Sequence, residues 1–309
     1  MKTYHVWILL MLTTLFWAGN YVFGTFVVEE LSPVWITFSR WVLALFILIP
    51  LARVIEKPKW EDIKANIIPL IVLGLLGIIG YNLLLYTALH YTSPTNAALL
   101  SAVNPAVIVL FSMLLLKEKL KRFQVLGLAI SMLGALLIIT KGNIFGMFVM
   151  EYNRGDLIMV AAVVVWTLYS IVGKRVSVPP ITATAVSTLF AMIMLAPFAL
   201  AQDITFSKLS TITVVGVLYM FLFPSVFSFM FWNISVRKIG ASQAGVFLNL
   251  IPVFTAIISL FLGESVRLEQ IIGGLLVFLG VSITSGMVKY NVFSSFKKPR
   301  GPSKNNKKP

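Results

Sequence analysis

The chain has 309 residues, 59% of them hydrophobic and 12% charged, with no cysteine and a net charge of +14. A soluble domain is about 45–50% apolar and about 25% charged, so this composition, with a mean hydropathy of +0.94, excludes soluble enzyme folds and reads as an integral membrane protein. Without cysteine there is no disulfide framework or thiolate metal site, and His5 and His90 are too few for a histidine cluster; no metal and no cofactor is expected.

Crossing a hydrocarbon core of about 30 Å takes about 20 apolar residues. Ten runs of that length are predicted, at 7–27, 32–52, 67–88, 94–116, 122–140, 155–173, 180–200, 211–234, 241–262 and 269–288. Runs of twenty exceed barrel-strand length, and open sheets leave unpaired edges in lipid, so the fold class is an all-α bundle of ten transmembrane helices. The first run is too long for a signal peptide, and Trp17 and Asn20 interrupt the place where small residues precede cleavage. It is read as retained.

In the first run Trp17, Asn20, Tyr21 and Gly24 share one helix face by their i, i+3, i+4, i+7 spacing. An amide costs several kcal/mol in hydrocarbon unless bonded, so Asn20 faces either a cavity or a neighbouring helix. The second run carries Arg40, the one clear intramembrane charge, read as a solute or gating contact or as a structural cap. Tyr81, Asn82 and Tyr86 in the third run are cavity candidates. In the fourth, Asn96 and Asn104 lie two turns apart, and Pro105 frees a carbonyl one turn back. Gly127 and Gly134 make the fifth run a close-packing helix.

The sixth run repeats the first-run face with Trp166, Tyr169, Ser170 and Gly173, at an offset of 149. In the seventh, Pro197 matches Pro50, and Ser187 stands where Arg40 stood. The eighth mixes Pro224, Ser225, Ser228, Trp232 and Asn233 with aromatics, and Pro224 has no proline partner in the third run. The ninth repeats the fourth, with Asn249 before Pro252; the tenth repeats the fifth, with Gly273 and Gly280. Two repeats result, at 1–145 and 146–290, followed by a basic tail at 291–309 that is expected to be unstructured. Five helices per repeat force the second copy to enter from the opposite side. That inverted plan belongs to secondary transporters, whose site lies at the midplane between the halves.

With the N-terminus in the cytoplasm, 20 of the 25 basic residues fall on the cytoplasmic side, four fall outside, and one is Arg40. The positive-inside rule thus places both termini in the cytoplasm of a plasma membrane. It also accounts for the basic charge without nucleic acid; lipid head groups are the expected contact of the tail.

The segments Leu15-Phe16-Trp17-Ala18-Gly19-Asn20, Phe38-Ser39-Arg40-Trp41 with Ala44, Ala97 to Pro105, and Phe261-Leu262-Gly263-Glu264 followed by Gln270 to Gly280 together resemble the drug/metabolite transporter superfamily, specifically its ten-helix EamA-type members. The resemblance covers roughly 1–290. It implies transport of amino acids, metabolites or drugs, and maps the family's second-helix arginine onto Arg40 and its first-helix Trp and Asn onto Trp17 and Asn20.

The expected function is a secondary transporter (permease or exporter) of small organic solutes working by alternating access, with no catalytic residues. A non-transporting scaffold or receptor and a membrane-embedded enzyme are the rival classes. The solute-binding residues expected are Trp17, Asn20, Arg40, Tyr81, Asn96, Asn104, Trp166, Tyr169 and Asn249. No acid or histidine falls deep within a run, so coupling is expected to the solute's own gradient or to the membrane potential. Substrate, direction and oligomeric state stay open.

Overall fold

The structure is a computed structural model that describes residues 2–92, 100–149, 153–203, 209–261, 263 and 267–286. In chain order its apolar helices are α1 (Thr3–Glu30), α2 (Pro33–Glu56), α3 (Ile67–Tyr91), α4 (Asn104–Leu115), α5 (Arg122–Ile139), α6 (Arg154–Arg175), α7 (Pro180–Leu200), α8 (Thr211–Ile239), α9 (Ala241–Phe261) and α10 (Leu268–Ser285). Nine are long and apolar enough to cross a membrane; α4 is shorter, and the start of the expected fourth run falls in 93–99, outside the described residues. No strand occurs among the described residues. The basic tail 291–309 also lies outside them.

The helix starts follow from local chemistry. Ser32 caps α2 by accepting the Trp35 N–H at 3.2 Å, with Pro33 in the first turn, where its missing N–H costs nothing. Asn153 and Asp156 cap α6 reciprocally: Asn153 Oδ1 accepts the Gly155 N–H at 2.7 Å and Asp156 Oδ2 accepts the Asn153 N–H at 2.7 Å. Outward faces stay apolar, with Phe46, Phe198, Phe261 and Leu275 largely exposed, while Trp41, Trp232, Tyr86 and Phe229 are buried. In lipid that outward surface carries no hydrophobic cost.

Two inverted five-helix repeats meet on a pseudo-two-fold axis. α5 and α10 cross on their glycines, which let the backbones touch. A Cβ on Gly134 would lie 2.5 Å from the Gly273 carbonyl oxygen, one on Gly273 would lie 2.7 Å from that of Gly134, and one on Gly127 would lie 2.7 Å from that of Gly280. Gly127 is the repeat equivalent of Gly273, and Gly134 of Gly280. Each glycine therefore meets the equivalent of its own repeat partner's contact, the reciprocity of a two-fold interface. The equivalent tryptophans Trp17 and Trp166 likewise touch, with ring centroids 5.0 Å apart and near-perpendicular planes.

The unmatched Pro224 acquires a partner in backbone geometry. α3 widens to a π-turn at Gly74–Gly80 and α8 does so at Phe221–Ser228, the same stretch one repeat on. In α8 proline removes the N–H; in α3 the equivalent residue is Gly77, where a Cβ would lie 2.8 Å from Cγ of Tyr169. Asn82 Nδ2 donates to the Gly77 and Ile78 carbonyls at 3.1 and 2.8 Å, and Ser225 Oγ donates to that of Met220 at 2.8 Å. Carbonyls at these widened turns thus stay bonded. α9 is broken too, by the 3₁₀ turn Val246–Asn249 ahead of Pro252.

Candidate functional site

A cavity of about 530 Å³ lies between the halves. Its walls come from α1, α2, α3, α5 and residues 101, 102 and 104 of the first half, and from α6, α8, α9 and α10 of the second. The lining residues of α1, α3, α5 and α9 belong to their C-terminal parts, from Trp17 to Phe26, Tyr81 to Leu89, Ile138 to Ile139 and Leu248 to Ser259. The cavity therefore runs from mid-depth to one end of the bundle, where Lys141 and Gln270 stand at its mouth.

Of the residues expected to bind solute, Trp17, Asn20, Arg40, Tyr81, Asn104 and Trp166 all line this cavity. Tyr169 is buried behind it, its hydroxyl accepting from Asn233 Nδ2 at 2.7 Å. Asn249 is also fully buried, donating to Ser131 Oγ at 2.9 Å. Asn96 lies outside the described residues. Lining residues that the sequence reading did not single out include Lys141, Phe229, Thr255 and Ser259. Thr255 and Ser259 lie at i, i+4 on one face of α9, with Ile251 one turn before them.

Aromatic rings form the floor. Trp166 lies 5.0 Å from Trp17, 4.8 Å from Tyr81 and 5.4 Å from Phe229, and Trp17 lies 5.5 Å from Trp232, all between ring centroids. Such tilted and edge-on pairs are the preferred aromatic geometries.

Arg40 enters the wall from the eighth position of α2, about 11 Å along it at 1.5 Å per residue. Its Nε donates to Ser225 Oγ at 2.7 Å, and its Nη1 donates to Asn20 Oδ1 at 2.9 Å and to the Tyr86 hydroxyl. The Tyr86 hydroxyl donates to the same Asn20 oxygen at 3.2 Å. The guanidinium carbon lies 5.7 Å from the Trp41 ring centroid. Three helices besides its own thus hold one cation with neutral groups.

The opposite end of the bundle is closed by contacts between the halves. Glu56, at the end of α2, accepts from the first amides of α7, Ile181 N at 2.9 Å and Thr182 N at 2.7 Å. Glu118, just past α4, accepts from the first amides of α9, Ala241 N at 3.2 Å and Ser242 N at 3.0 Å. Arg175 donates to the Leu115 carbonyl, another tie from half to half.

Comparison with known proteins agrees with this architecture. The model of the EamA-like transporter family matches the chain twice, over residues 5–140 and 153–286. The protein named "Uncharacterized transporter YyaM" of Bacillus subtilis (strain 168) is 32% identical over 298 residues, spanning 94% of this chain and 98% of that protein. An "Uncharacterized transporter" of Archaeoglobus fulgidus is 30% identical over 288 residues, spanning 90% of this chain and 96% of that protein. A crystal structure with 19% sequence identity has the same fold, with a TM-score of 0.73 over 93% of this chain and 99% of that one. The chain belongs to the EamA-like transporter family, and it is a multi-pass membrane protein.

Proposed function

We propose that this member of the EamA-like transporter family is a secondary transporter that carries small organic solutes, such as amino acids or metabolites, by alternating access. The observation that carries this reading is a cavity walled by both inverted halves and running from mid-depth to one end of the bundle. A volume of about 530 Å³ suits a small organic molecule. Rocking of the halves, 1–145 against 146–290, would exchange the open end for the closed one. In the present state Trp17, Asn20, Arg40, Tyr81, Asn104 and Trp166 receive the solute.

Both termini are assigned to the cytoplasm of a bacterial-type plasma membrane by the distribution of basic residues, which makes the open end external. Among the described residues no acid lines the cavity, which supports the solute's own gradient, or the membrane potential for a charged solute, as the driving force.

The test is counterflow in proteoliposomes with a panel of labelled amino acids and organic acids. Saturable counterflow of at least one solute, lost in Trp166→Ala protein that inserts normally, is expected. Leak that never saturates for any solute would favour a scaffold instead.

A further inference from the structure

Deepening the transporter reading, on which it rests, we infer that the cavity selects solutes bearing a carboxylate and no cationic group, docked on Arg40. Among the described residues the charged groups of the cavity wall are Arg40 and Lys141, both cationic, with no Asp or Glu beside them in the lining. The groups bonded to Arg40 are a hydroxyl, an amide and a phenol, none of them a carboxylate. Its hydrogen bonds to Ser225, Asn20 and Tyr86 occupy Nε and Nη1 and leave Nη2 without a partner among the described residues.

A buried arginine ordinarily has an anion beside it, because an isolated buried charge is costly. Here the side chain is 2% exposed, and the small part that is not enclosed meets the cavity. The missing counter-charge is what a carboxylate solute supplies: one oxygen on Nη2, in a charge-assisted bond shorter and stronger than a neutral one. Lys141 stands at the mouth, where the Glu269 side chain packs against the adjoining Gly142, so Arg40 is the cation without a carboxylate near it. The floor of Trp17, Trp166 and Phe229 takes an apolar or aromatic body.

An α-amino acid would bring an ammonium group into a cavity whose described lining holds two cations and no acid. Simple organic anions are therefore preferred to zwitterions, and organic cations are rejected.

The experiment titrates the full chain in lipid nanodiscs, read by the fluorescence of the cavity tryptophans. The probes are 3-phenylpropanoate, 3-phenylpropanamide, 3-phenylpropylamine and phenylalanine, which share one carbon skeleton. The carboxylate is expected to bind roughly ten- to a hundredfold more tightly than the amide, phenylalanine less tightly than the carboxylate, and the amine most weakly. Arg40→Gln should bring the carboxylate to the affinity of the amide and leave the amide unchanged. If that variant does not fold, the carboxylate-to-amide ratio in the unaltered protein still decides.

Equal affinity for carboxylate and amide, tighter binding of the amine, or no binding of any probe at about a thousand times a micromolar concentration would overturn the inference. Counterflow of a neutral or cationic solute that survives Arg40→Gln would overturn it while sustaining transport. An Arg40-dependent preference for the carboxylate without any counterflow would do the reverse.

Discussion

At Arg40 a fixed positive charge is held by an amide, a phenol and a hydroxyl, none of which carries a balancing negative charge. Asn20 is the natural place to supply one, because its Oδ1 already lies 2.9 Å from Nη1 and 3.2 Å from the Tyr86 hydroxyl. Asn20→Asp would keep both bonds and give the guanidinium a partner. The variant should fold at least as well as the parent by thermal melting, yet lose at least about tenfold in affinity for a carboxylate, the loss of one charged hydrogen bond. Unchanged carboxylate affinity in folded Asn20→Asp would place the solute away from Arg40. Arg40, Asn20, Asn104 and the two floor tryptophans were legible in the sequence because polar or large amphipathic groups at mid-helix need a partner other than lipid. Lys141, Thr255 and Ser259 were not. A lysine at a helix end and hydroxyls in a helix are solvated or back-bonded in most proteins, and only the tertiary arrangement shows that these face a cavity. Tyr169 and Asn249 had the right chemistry and depth, but helical periodicity gives a face without saying what lies opposite it. In this state Asn233 and Ser131 lie opposite.

Among the elements, the joints at the closed end are helix N-termini capped across the halves. Glu118 bonds the first two amides of α9, where carboxylate charge also meets the positive end of the helix. Gly240 precedes them with φ +91°, and a Cβ there would lie 2.8 Å from Glu118 Oε1, so both conformation and space call for glycine. Glu118→Gln keeps one acceptor and removes the charge, a loss of about 0.3–2 kcal/mol, or a roughly 2- to 30-fold shift toward opening of that end. Because the chain has no cysteine, single cysteines read this directly. Ser235→Cys, buried in the closed half of α8, should react faster with a water-soluble maleimide in the Glu118→Gln background. Ser259→Cys on the cavity wall should react more slowly. If both rates rose, the carboxylate would merely hold local structure. Apart from the start of the fourth run, which lies partly outside the described residues, the helices were legible to within a few residues, since hydrocarbon thickness dictates their length. The π-turns were not legible: Pro224 marked a disturbance in α8 alone, and the run Gly74-Leu75-Leu76-Gly77-Ile78-Ile79-Gly80 has no proline and widens where Tyr169 packs against Gly77.

Across the whole molecule, inverted symmetry places two related networks at opposite depths, and only one is charged. Asn20, Arg40 and Tyr86 in the first half correspond to Tyr169, Ser187 and Asn233 in the second. The amide and phenol have exchanged helices, with Asn233 Nδ2 donating to the Tyr169 hydroxyl at 2.7 Å and to Thr184 Oγ1 at 2.9 Å. In place of the guanidinium there is a serine whose hydroxyl donates to its own helix, to the Ala183 carbonyl at 2.5 Å. Asn20 and Arg40 of the charged network line the cavity, while the neutral network is buried away from it. When the halves rock, the open side should present Tyr169 and Asn233 without a cation. An anion is then held firmly on the face where Arg40 is reachable and loosely on the other, whereas a symmetric pair of arginines would bind it equally on both. On the proposed placement of both termini in the cytoplasm, the tight face is the external one. In proteoliposomes of a single known orientation, half-saturation by a carboxylate substrate from the Arg40 side should come at a concentration at least about tenfold below that from the opposite side, one charged bond being the difference. Arg40→Gln should narrow the gap by weakening only the tight side. Equal half-saturation from both sides of the unaltered protein would mean that the solute stays on Arg40 throughout the cycle, and the neutral network would then have no part in release.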